Sequence, residues 1–114
     1  MMDIRLSEVI AQARTLIGNN DFRGCEKLLR RAMSDYPDAA VPHNLMGLMY
    51  EKKNDHVKAM KHFRAAWALD PTYVPAQMNL DNFGTMFAAR IPFTFDESDY
   101  APVIKAAEVT PQCI

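Results

Sequence analysis

Cysteine is scarce in this chain, with two in 114 residues, Cys25 and Cys113. A pair so placed makes neither a disulfide framework nor a Cys-x-x-Cys metal or redox motif. Such usage fits the cytoplasm, where thiols stay reduced. Glycine is also scarce. The four are scattered, which removes a Gly-rich phosphate loop. The histidines number three, and His56 and His62 are six apart. That misses the i, i+3 or i+4 spacing at which one helix face presents two ligands, and His43 falls on a different helix. No metal or other cofactor is expected. No apolar run approaches the ~20 residues of a membrane span. Met1-Met2-Asp3-Ile4-Arg5 lacks the basic-then-apolar order of a secretory signal. The net charge of −1 leaves no global field to attract nucleic acid or an anionic membrane.

What remains is the composition of an ordinary soluble domain, 49% hydrophobic and 24% charged. Within it, short signals recur. Asn20-Asp21 and Asn54-Asp55 lie 34 residues apart, as do Pro37 and Pro71. An interval of that length is the mark of stacked helical hairpins. The apolar spacing agrees. Ile4, Leu6, Val9, Ile10, Ala13, Leu16 and Ile17 make one helical stripe. Gly18-Asn19-Asn20 breaks it, and Asp21 is placed to cap a second helix through Cys25, Leu28, Leu29, Ala32 and Met33. Tyr36-Pro37-Asp38 closes that helix, because proline brings no donor. The cycle repeats through Val41 to Tyr50, a break at Asn54-Asp55, and Ala59 to Leu69, closed by Asp70-Pro71. A fifth helix is expected from about Tyr73 to Ala89, with Pro75 tolerated in its first turn.

Residues 40–73, through Met46, Gly47, Tyr50, Ala59, Phe63, Ala66 and Pro71, resemble a tetratricopeptide repeat, with His43 where an aromatic is usual. Residues 6–39 resemble it more loosely, through Ala13, Leu16, Cys25, Leu29, Ala32 and Pro37, with Gln12 at a position usually large and apolar. The resemblance implies an all-α fold, a right-handed superhelical array of two hairpins (about 6–39 and 40–73). A capping helix (about 74–89) completes a domain spanning 1–89. In such a crossing Gly47 and Ala59 permit close approach, while Tyr50, Phe63 and Trp67 fill the space beside them. On the fifth helix Gln77, Asp81, Gly84 and Ala88 are polar or small, which suits a terminal cap. A degenerate third repeat with its second helix in 98–108 is the competing reading.

The tail, 90–114, is too apolar for a free disordered segment. Ile91-Pro92-Phe93-Thr94-Phe95 alternates in an extended pattern, and Asp96-Glu97-Ser98-Asp99 is acidic. Charge divides along the chain, with a balance of +3 over residues 1–64 and −4 over 65–114.

No spacing supports catalysis, so the chain is not expected to be an enzyme. Arg23, Lys27, Arg30 and Arg31, with Lys58, Lys61 and Arg64, fall on helices that the resemblance puts on the convex side. A solvated face accounts for them better than nucleic acid, which wants a denser field and stacking aromatics. The resemblance also implies a concave groove. Its lining would include Ile10 and Arg14 from the first hairpin, Val41, Asn44 and Leu48 from the second, and Met78, Asn82 and Met86 from the cap. Asn44 and Asn82 could each donate and accept to an extended backbone. The family's carboxylate-gripping positions hold Ile10, Leu45, Pro75 and Asn79, which argues against that ligand mode. The expected function is a protein-interaction module taking an apolar or amphipathic peptide segment. One alternative is that the chain's own tail fills the groove, within one molecule or across a homodimer; another, less favoured, is an RNA-binding helical repeat. About 10 extended residues reach ~33 Å, enough for a return within one chain.

Overall fold

A computed structural model of the chain describes residues 4–84, 93–96 and 99. The described residues form five helices and no strand: α1 (Ile4–Gly18), α2 (Phe22–Asp35), α3 (Ala40–Lys52), α4 (His56–Leu69) and α5 (Val74–Gly84). The expected continuation of α5 to Ala89 and the helix suggested for 98–108 lie outside the described residues, Asp99 apart.

The 34-residue interval of the sequence is also an interval of hydrogen bonds. Asn20 and Asn54 both take the left-handed backbone, with φ of 59° and 66°. This conformation turns the chain back after α1 and α3, and asparagine bears it at less cost than most residues. The Asp21 N–H then donates to the Leu16 carbonyl and the Asp55 N–H to the Tyr50 carbonyl, each at 2.8 Å. The carboxylates cap the following helices, Asp21 accepting from the Gly24 N–H at 3.0 Å and Asp55 from the Lys58 N–H at 3.2 Å. Each cap is worth about 0.5–2 kcal/mol. The other junctions repeat as faithfully. Tyr36 donates to Ala32 and Asp70 to Ala66, each just before a proline.

Neighbouring helices pack in order, α1 on α2, α2 on α3, α3 on α4 and α4 on α5. In addition α1 meets α3 and α3 meets α5, whereas α2 and α4 do not approach each other. Thus α1, α3 and α5 lie side by side in one layer, backed by α2 and α4. The middle helix, α3, has neighbours on all sides. Its residues from Ala40 to Met49 are buried except His43, and its sequence is accordingly apolar nearly all round.

The α3–α4 crossing is close because Gly47 lies against the Phe63 ring, where any Cβ would collide with it. Ala59 and Phe63 are fully buried there. Trp67 corrects the sequence reading. It is 46% exposed and fills no interior space, because Ala66 holds the buried position and the next residue points about 100° away round the helix. Tyr50 is only half-buried and lies over His62, with centroids 5.5 Å apart.

Candidate functional site

The layer of α1, α3 and α5 carries a short stretch of the chain's own C-terminal region. Its centre is Thr94, 2% exposed, set between two fully buried asparagines, Asn44 of α3 and Asn79 of α5. The Asn79 Oδ1 accepts from the Thr94 N–H at 3.0 Å. Its Nδ2 donates to the Thr94 carbonyl at 2.8 Å and to the Asn44 Oδ1, also at 2.8 Å. The Asn44 Nδ2 donates to the same Thr94 carbonyl at 3.1 Å. Both backbone groups of Thr94 are therefore met by side-chain amides, as a neighbouring strand would meet them. Burial without these bonds would cost about 1–3 kcal/mol per polar group.

Aromatic residues flank this clamp. Phe95, 7% exposed, belongs to the core cluster that contains Ile10, Val41 and Leu48. Phe93 and Phe83 of α5 meet edge to face at 5.4 Å between centroids, and Phe83 stacks on Phe63 at 6.0 Å. The Tyr73 hydroxyl donates to the Phe95 carbonyl at 3.5 Å, a long bond.

Arg14 of α1 holds the acidic end. Its guanidinium donates to both oxygens of Asp99, at 2.8 and 2.9 Å, and reaches the Asp96 Oδ1 at 3.4 Å. The same guanidinium lies 4.5 Å from the centre of the Phe95 ring, a cation–π geometry. Asp99 also closes its own turn, its Oδ2 accepting from the Phe95 N–H at 2.9 Å and the Asp96 N–H at 3.1 Å. Partial burial pushes the Asp99 carboxyl up, but the bonds from Arg14, Asp96 and Phe95 and the charge of Arg14 outweigh it. The group sits below the usual carboxylate range. The Asp99 hydrogen bond raises Arg14 in turn, against the opposing effect of burial.

Of the residues expected to line a groove, Ile10, Val41 and Leu48 are buried, and Arg14, Met78 and Asn82 are half-buried. Met86 lies outside the described residues. The amides that meet the Thr94 backbone are those of Asn44, an expected lining residue, and of Asn79. Asp96 and Asp99 pair with Arg14, not with the basic side chains of α2 and α4. Those seven are exposed, and Arg30, Arg31 and Lys58 pair with Glu26, Asp35 and Asp55 close by in the chain.

A second grouping was not expected. His43 and His62 face each other across the α3–α4 hairpin with their Nδ1 atoms 3.2 Å apart. Burial lowers both, and His62 is lowered further by His43. Among the described residues no three histidine, cysteine or acidic side chains come together as a metal site would require. Cys25 is fully buried, its thiol pushed up to about 11 by burial and by the charges of Asp21 and Glu26, so it is poorly nucleophilic. No described helix is long and apolar enough to cross a membrane.

The chain matches no family model, and no curated protein or solved structure is found to be similar to it.

Proposed function

We propose that this chain is a protein-interaction module, a right-handed array of two tetratricopeptide-type hairpins closed by α5, whose concave groove is the face of α1, α3 and α5. Its ligand is an extended polypeptide segment, and no catalysis is involved. Residues 93–96 and Asp99 of the chain itself are the resident occupant, so the groove is held by its own tail and opens when the tail leaves. The observation that carries this reading is the amide clamp. Asn44 and Asn79 satisfy the N–H and the carbonyl of Thr94 together, which is recognition of an extended backbone. The repeated junction bonds at an interval of 34 support the repeat assignment. The exposure of the basic side chains of α2 and α4, with Arg30, Arg31 and Lys58 paired to nearby carboxylates, supports a solvated outer face. The cytoplasm is the compartment that the cysteine usage favours.

The test is a double-mutant cycle in the full chain, Arg14→Gln with Asp99→Asn, followed by thermal unfolding. Arg14 is partly exposed, so the coupling expected is about 0.5–1.5 kcal/mol, above that of most surface pairs because the geometry is bidentate. It should not change with protein concentration. Strictly additive losses would contradict docking. A coupling that grows with concentration would mean that the tail crosses to a second copy.

A further inference from the structure

The occupant shows what else the groove can hold. Its contacts fall into three kinds. Asn44 and Asn79 bond to the backbone of Thr94. Aromatic rings on either side of that residue meet Phe83 and the core cluster. Arg14 takes carboxylates at the positions two and five residues after the clamped one. None of these contacts uses the covalent link between the segment and α5. The segment also brings its own turn, because the Asp99 carboxylate accepts from two N–H groups of the segment itself. A free peptide with the same residues can make that turn and then meet every groove atom in the same way.

Resting on the function proposed above, we infer that the groove is a docking site for a segment of another protein with the pattern aromatic–x–aromatic–Asp–x–x–Asp, and that the chain's own stretch with Phe93, Thr94, Phe95, Asp96 and Asp99 is its built-in competitor. Charge complementarity selects the partner class. Arg14 offers both faces of its chemistry, the guanidinium edge to two carboxylates and its plane to an aromatic ring. A basic or a purely aliphatic segment would leave Arg14 without its partners. The backbone clamp excludes a ligand that arrives as a helix, since helical N–H and carbonyl groups are already engaged. The competitor is joined to Gly84 by eight residues, and a short tether of this kind acts at an effective concentration of the order of millimolar. An outside ligand therefore binds the intact chain weakly until the tail is loosened.

The test uses the full-length chain with Phe95→Ala and Asp99→Asn, which loosens the occupant and leaves every groove residue unchanged. A fluorescein-labelled synthetic peptide with the wild-type sequence of residues 91–100 is titrated by anisotropy. The loosened chain should bind it at least ~10-fold more tightly than the wild-type chain does, since the tether no longer competes. N-methylation of the peptide at Thr94, or Asp96→Asn with Asp99→Asn in the peptide, should each weaken binding ~10-fold or more, by removing clamped or charge-assisted bonds. Equal binding of the wild-type and altered peptides would overturn the pattern, and no binding to the loosened chain at millimolar peptide would overturn the docking site. If the loosened chain loses helical circular dichroism, the peptide is titrated against ¹⁵N-labelled wild-type chain. Exchange of the Thr94 amide must then quicken as peptide is added, and an unchanged rate would overturn the inference. The Arg14–Asp99 cycle reports docking within the chain independently, so a failure of the peptide and a failure of the proposed function give different results.

Discussion

Asparagine is the side chain that most resembles a peptide group, and two of them here do a strand's work on Thr94. Both were reached beforehand only through the family resemblance, Asn44 as groove lining and Asn79 as a groove position unsuited to gripping a carboxylate. Asn79 lies on a helix with several polar residues, so nothing local separates it from Asn82. Its burial is decided by a segment 15 residues later in the chain. The histidine pair was hidden for a similar reason. His43 and His62 are 19 residues apart on two helices, and only the hairpin register brings them together. Their burial has a consequence for pH. A histidine lowered by folding favours the native state above its unfolded value, near 6.5. That advantage is lost as pH falls through the folded value, because the unfolded chain takes up protons first. Thermal stability should therefore decline between pH 7.5 and 5, and His62→Gln should flatten the decline. An identical slope in that variant would show that the pair is not responsible.

The helices themselves were the most readable part of the chain. Their stops and starts are written in Asn20-Asp21, Asn54-Asp55, Pro37 and Pro71, residues whose backbone chemistry acts locally and needs no tertiary context. The side chains between them were less so. Trp67 looked like core by size, yet Ala66 is the residue that α4 buries, and a shift of one position decides inside from outside on a helix. The close α3–α4 crossing, by contrast, follows from small residues facing a ring. Ala59 is fully buried there, so Ala59→Leu should overpack the crossing and cost about 1–3 kcal/mol. Chemical denaturation would measure it. A stability equal to the wild type would mean that the two helices are free to separate and that the crossing does not hold the hairpin.

Across the whole molecule, charge divides between a basic first part and an acidic last part. Arg14 and Asp99, 85 residues apart, pair across that division. No pattern at that separation announces a contact. The apolar character of the tail argued against a free segment, but nothing in it pointed to α1. The division of labour is physical. Local chemistry sets the rods, burial sets their stacking, and the face they leave is completed by a segment that could equally have come from elsewhere. That last property makes occupancy the central question. Hydrogen exchange of the Thr94 amide in the full-length chain addresses it most directly, with Asn79→Ala as the comparison. Exchange in the wild type should be slowed well below the rate of a free peptide, and the substitution should return it towards that rate while the amides of α3 stay protected. A Thr94 amide that exchanges as fast in the wild-type chain as in a free peptide would contradict the account.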